Sequence, residues 1–428
     1  TAYDDEPVGA QRLELGVEPG DVQRLTGEQL EHRAVAARHH RGRERLEPRI
    51  SELTPRRCTQ GRHASPRVVS GKRMILDGLA TLREEFTARG WNRRATGAVL
   101  GELAVHVVLS VAGYVLFLTS DDFVLRWIGM LVSTYGTLGV VTNTHTSTHN
   151  GTSDKRWVND FFGYFGYPFF VNLSLTYWRH SHISIHHTAP NVMGVDCDAD
   201  FSPFFATTDR EVAESKGWQR RFFERWQAWV FPLVMWVHPW LRQRASWAFI
   251  FSRLRDPAQR RASHWLDLAA MLLHWVAWVG VPLLFLPAWE VLLASQIRIG
   301  MLGYPLFAIL APAHYPHEAG CVRAGDWPKD FLALQTTTTI NYRTGPIGGF
   351  ICSGLQYQIE HHLFPGYSHV FYRRMSPYVR AFCERHGYPY RTLGWGEAMF
   401  KTLLIFARPK REAPDLATLR ERHLGYHP

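Results

Sequence analysis

No two cysteines in this 428-residue sequence share CxxC spacing: the five thiols, Cys58, Cys197, Cys321, Cys352 and Cys383, are scattered and odd in number. That excludes a disulfide framework and points to a reducing compartment. Aromatic residues are nearly missing from residues 1–73, where Tyr3 stands alone and no lysine precedes Lys72. Such a stretch cannot fill a core and is expected to be disordered. The first methionine is Met74, where composition changes sharply, so residues 1–73 read as an extension outside a working domain of 74–428. An apolar h-region is absent too, so no signal peptide is expected.

Long apolar runs are what the rest of the chain does have. Four are of bilayer-crossing length, about 20 residues: roughly 97–118, 123–141, 266–286 and 291–313. Glu102 and His106 lie one helical turn apart in the first and are read as structural. The segment Trp226 to Ile250 is rich in tryptophan but carries Pro232, Pro239, Arg242 and Arg244, and is expected to lie flat in the membrane interface. The short turns Ser120-Asp121-Asp122 and Pro287-Ala288-Trp289-Glu290 lack Lys and Arg, whereas the other connecting stretches are crowded with them. The positive-inside rule then makes those basic stretches cytosolic. The net charge of +10 fits a basic face near anionic headgroups better than a nucleic-acid partner.

Histidines cluster on that same side: His145 and His149, then His182, His186 and His187, then His314, then His361 and His362. Residues four apart share a helix face, so members of each cluster can ligate together. His145-Thr146 lacks the glutamate that follows the first histidine of a zinc protease. A structural zinc takes four ligands, and eight candidates are too many. Nitrogen-rich sites suit iron and copper as well as zinc, and eight imidazoles divide naturally between two metals, with two irons the preferred pair.

The clusters and their flanks resemble the membrane fatty-acid desaturases, in particular the front-end (Δ6-like) group and its bacterial members. Three stretches carry the resemblance: His145-x-x-x-His149-Asn150; His182-x-x-x-His186-His187; and Gln358-Ile359-Glu360-His361-His362-Leu363-Phe364-Pro365. Pro190-Asn191, Asp196-x-Asp198, Ala313 to Glu318 and Gln335 to Asn341 add to it, and together the match covers roughly residues 97–400. The chain departs from the family at Thr146, where an aspartate is usual.

The resemblance implies an all-α integral membrane protein, mushroom-like, with four transmembrane helices and a cytosolic helical cap holding a di-iron site. It also implies eight iron ligands, His145, His149, His182, His186, His187, His314, His361 and His362, with Gln358 beside the irons. Asp196, Asp198 and Glu360 fit carboxylates that orient imidazoles. His180 and His317, off the pattern, are given hydrogen-bonding roles, and Trp178 and Tyr357 are candidates for lining an acyl tunnel. The expected reaction consumes O₂ and two external electrons and takes one hydrogen from each of two neighbouring carbons of a long-chain acyl group, carried by lipid, CoA or acyl-carrier protein. Many front-end relatives carry a fused cytochrome b5 with a His-Pro-Gly-Gly motif, which this sequence lacks. A separate donor such as ferredoxin is therefore expected, at a bacterial inner membrane. Hydroxylation or triple-bond formation by the same kind of site is the alternative; a distant one is a haem-binding electron carrier using His106, His145, His149 or His274.

Overall fold

The computed structural model describes residues 79–324 and 330–424. The expectations for residues 1–73 and for a boundary at Met74 therefore lie outside the described residues. A short helix, α1 (79–88), leads into α2 (Thr96–Thr119) and α3 (Phe123–Thr148). After a long insertion come α4 (Ala262–Trp275), continued by a π turn, and α5 (Ala288–Leu310), continued by a 3-10 turn to Ala313. Among the described residues these are the four helical stretches long and apolar enough to cross a membrane: Thr96–Thr119, Phe123–Thr148, Ala262–Leu284 and Ala288–Ala313.

The pairing of α2 with α3 follows from the sequence. On α2 the buried residues Val99, Leu103, His106, Ser110, Gly113 and Phe117 alternate by four and three, a single stripe. Val105, Val108 and Leu109, off that stripe, stay exposed, as residues facing hydrocarbon do. Small residues let the two backbones touch: a Cβ on Gly136 would lie 2.2 Å from the Ser110 backbone nitrogen. α3 begins with Asp122, whose side chain accepts from the Leu125 amide at 2.8 Å. Arg126 lies 3.3 Å from Glu290, tying this end of α3 to the start of α5.

At the opposite end, α3 runs on to Thr148 rather than stopping near Val141. The polar stretch Thr142–Thr148 is buried by protein instead of lipid, so hydropathy alone does not register it. The third stretch likewise begins at Ala262, earlier than the apolar run, and near its start Asp267 is buried against Ser174, Leu175 and Thr176. The Trp226–Ile250 region forms two helices, Gln227–Val234 and α6 (His238–Arg255). Neither is among the helices long and apolar enough to cross.

The remaining elements form a mainly helical cap on that end. The chain is mostly helical, as expected, and two short parallel strand pairs clip the cap together: β1 (Val192–Met193) with β2 (Val322–Arg323), and β3 (Asn341–Arg343) with β4 (Thr392–Gly394). Each is two or three residues long, too short to leave a sequence pattern. A hydrophobic cluster around Phe86, Ile359, Leu363, Tyr372 and Met375 joins α1 to the helices that follow.

Candidate metal centre

Each histidine group is delivered by a different element at one end of the bundle. The last turn of α3 carries His145, and His149 caps it; the chain then reverses at Asn150, whose φ is 59°. The second group sits on a π-helical stretch, Arg179–His186, entered from the short helix Leu175–Trp178. Wide π turns are frequent at functional sites because they re-aim side chains. Asp267 anchors that entry by accepting from the Leu175 amide at 2.7 Å and the Thr176 amide at 3.0 Å. His314 follows the 3-10 turn that ends the fourth apolar stretch. The third motif forms the buried helix α7 (Gln358–Leu363), reached through a left-handed turn at Ser353 and Gly354, φ 45° and 83°. A Cβ on Gly354 would meet that of His369 at 2.7 Å, so only glycine fits.

Eight imidazoles meet there in two groups: His145, His149, His182, His187 and His361 in one, His186, His314 and His362 in the other. Within each group the candidate ligand atoms all lie within 4.8 Å of one another. The groups abut, since the His187 and His362 rings stack at 4.3 Å.

Their chemistry fits metal ions. Nε2 of His149, His182 and His362, both ring nitrogens of His187 and Nδ1 of His314 are buried with no hydrogen-bond partner. Desolvated nitrogens left bare are costly unless something else occupies their lone pairs. The Nε2 atoms of His145 and His361 face each other at 3.0 Å. Burial, reinforced by neighbouring imidazoles, holds His149, His182, His187, His361 and His362 well below the ordinary histidine range. Neutral rings offer lone pairs to a cation. Burial lowers His186 as well, but the Asp196 carboxylate outweighs it and carries the group above its usual value.

The far ring nitrogens are held in place. Asp196 takes Nδ1 of His186 at 2.9 Å, and Asp198 takes Nδ1 of His182 at 3.0 Å while also binding Arg242 at 2.9 Å. His362 Nδ1 donates to Gln335 Oε1 at 2.7 Å, and Tyr167 Oη lies 3.1 Å from His145 Nδ1. Gln358 Nε2 is 2.9 Å from His314 Nε2, at the edge of the smaller group. Glu360 points away from the imidazoles to Tyr390 at 2.6 Å and Asn341 at 2.8 Å, and burial pushes it up to about 7.

Other expected residues are placed differently. Trp178 stacks on His182 at 4.3 Å, whereas Tyr357 is half-buried against the cap's hydrophobic cluster. His317 is exposed and bonds the Arg408 carbonyl, and His180 stacks on Phe249; neither joins the two groups. Of the four histidines named for a haem, His145 and His149 belong to the larger group, whereas His106 lies beside Glu102 and His274 donates to the Phe169 carbonyl, both outside the two groups. Sequence reasoning assigned no role to Tyr167, Gln335 or Lys410. Buried Lys410 donates to the carbonyls of His314 at 3.0 Å and Ala319 at 2.8 Å. Gln335 alone left a signal, as the start of a stretch that resembles the desaturases.

The fatty acid desaturase family model matches residues 122–394. The chain belongs to that family. Among the relatives of this chain, the Delta(6)-fatty-acid desaturase fat-3 of Caenorhabditis elegans is 29% identical over 256 residues, 58% of this chain and 56% of that protein. The Delta(5) fatty acid desaturase fat-4 of the same organism is 30% identical over 260 residues, 58% of this chain and 55% of that one. The sn-1 linoleoyl-lipid 6-desaturase of Arthrospira platensis is 26% identical over 300 residues, 66% of this chain and 77% of its own. The chain thus spans little more than half the length of the two nematode relatives.

Proposed function

We propose that this family member is an O₂-dependent di-iron desaturase that places a double bond in a long-chain acyl group, on the carboxyl side of an existing unsaturation or of mid-chain. The observation that carries the reading is the pair of buried histidine groups with bare ring nitrogens. The eight histidines are the proposed iron ligands, and His186, His314 and His362 form the smaller set. Two irons, with O₂ and two electrons from a separate donor such as ferredoxin, supply the oxidising power that no side chain possesses. The balance is O₂, two electrons and two protons in, two hydrogens removed from adjacent carbons, and two waters out.

The protein's part is positioning. Asp196 and Asp198 accept the Nδ1 protons of His186 and His182, which leaves each Nε2 free to face inward. Gln358 donates its amide to His314 and so stands beside the smaller group without being a strong ligand itself. Trp178, flat against His182, is the proposed wall that keeps an acyl chain on one line past the site. The basic end of the molecule, read as cytosolic at a bacterial inner membrane, would receive the donor and a lipid, CoA or carrier-protein substrate. Residues 74–428 are the proposed working domain, and a chain starting at Met74 should keep full activity.

The test is iron analysis of purified protein together with double-bond location in the fatty acids of an expressing host. About two irons per chain and new unsaturation near the carboxyl end are expected, both lost in His361→Ala. An iron-loaded protein with a donor that yields no new double bond overturns the desaturase reading.

A further inference from the structure

Arg298 lies in the middle of α5, buried at 3% exposure, and makes no ion pair among the described residues. Its guanidinium reaches Thr137 Oγ1 at 3.1 Å and the Phe170 carbonyl at 3.3 Å and stacks on Trp278 at 3.9 Å, but Nε has no partner. A cation buried in an apolar stretch without a counter-charge is costly, and such residues mark sites by default.

Beside it, between α4, α5 and α6, is a cavity of about 200 Å³ lined by Arg298, Gln243, Arg244 and four tryptophans, Trp240, Trp247, Trp275 and Trp278. Several other donors on its wall are already engaged. Gln243 gives its amide to the Val171 carbonyl at 2.9 Å. Asn172, with its oxygen turned to the indole N–H groups, accepts from Trp247 and Trp275, both at 3.3 Å. Trp278 donates to the Phe169 carbonyl at 3.1 Å. That leaves positive charge unsatisfied: Arg298 within, and exposed Arg244 on the lining.

From this geometry we infer a binding site for the oxyanion headgroup of an amphiphile, a lipid phosphate or a fatty-acid carboxylate, seated against Arg298. The cavity is small beside the roughly 300–1,000 Å³ of pockets that enclose a whole ligand, so only the headgroup enters it. The acyl tails would lie against the exposed apolar surface of α4 and α5, where Leu272, Leu273, Leu292 and Leu293 face outward. None of the proposed iron ligands lines this cavity, so the site stands or falls separately from the desaturase reading.

Native mass spectrometry of the full chain in detergent tests it, with phosphatidylglycerol, oleate, diacylglycerol and inorganic phosphate titrated in turn. One saturable adduct with phosphatidylglycerol or with oleate is expected, the stronger of the two naming the source, and none with diacylglycerol. Arg298→Gln should weaken that adduct by about tenfold or more, the loss of one charge-assisted hydrogen bond. Ser295→Phe, which fills the cavity while keeping the arginine, should weaken it similarly and guards against a folding defect in the first variant. Equal binding of diacylglycerol, binding of inorganic phosphate alone, or an adduct unaffected by Ser295→Phe overturns the proposal.

Discussion

Asp196 and Asp198 stand two residues apart, yet each holds a histidine of a different group, His186 in the smaller and His182 in the larger. Asp198 also binds Arg242, so its removal leaves a partly buried guanidinium short of its partner. Asp196→Asn and Asp198→Asn should each lower iron retention against a chelator about 10–100-fold, the usual effect of losing a carboxylate behind a ligating imidazole. Asp198→Asn should also lose more thermal stability than Asp196→Asn; equal iron retention in both variants and wild type would end this account. At this scale the sequence was most legible where chemistry and spacing coincide, as in the eight histidines and the two aspartates. It was silent where partners come from far along the chain. Thr146, where an aspartate was expected, bonds His369 Nδ1 at 2.7 Å, and His369 in turn reaches Glu102 at 3.2 Å, a contact no local pattern announces.

Hydropathy located the long helices but not their ends. α3 outlasts its apolar run because Thr142–Thr148 are wrapped by the cap, and a polar buried turn looks like a loop to any hydropathy window. What holds α2 to α3 is close backbone approach rather than greasy bulk, so Gly136→Ala is expected to cut the yield of folded protein sharply. Its new Cβ would sit 2.2 Å from the Ser110 backbone nitrogen, which cannot swing aside as a side chain would. Gly101→Ala, with nothing within 4 Å, is the matched control and should fold like wild type. Size-exclusion profiles of the two variants decide the point, and a well-folded Gly136→Ala would show that the helices can move apart freely.

The last described helix, Leu416–Leu424, makes a different kind of prediction. His423 Nε2 donates to the carbonyls of Glu318 and Thr337, both at 3.1 Å, and burial lowers the group to about 4. Its folded value lies below the unfolded one of about 6.5, so the unfolded state binds the extra proton between them. Stability contributed here is present above about 6.5 and is lost as pH falls toward 4. Protection of the 416–424 amides, taken relative to their intrinsic exchange rate at each pH, should therefore fall over that window in wild type and stay nearly constant in His423→Gln. An identical pH response in both proteins would assign the effect elsewhere.

Every histidine of the two groups emerges from the same end of the four long helices, while Arg126 and Glu290 tie α3 to α5 at the other. Only an even number of crossings between the groups allows that, and the Trp226–Ile250 region is the one place where an extra crossing would spoil it. Its division into Gln227–Val234 and α6, with Arg242 turned inward onto Asp198, is what keeps the count even. The distribution of charge follows the same geometry, since the two turns at the far end lack Lys and Arg. Single cysteines placed at the exposed positions Asp121, Arg220 and Arg385 test this with a membrane-impermeant maleimide. In inverted vesicles Arg220→Cys and Arg385→Cys should label and Asp121→Cys should not, with the reverse in right-side-out vesicles. Labelling of Arg220→Cys and Arg385→Cys from opposite sides would require an odd number of crossings between them. The second and third histidine motifs would then face different compartments, and no single metal centre could draw on both.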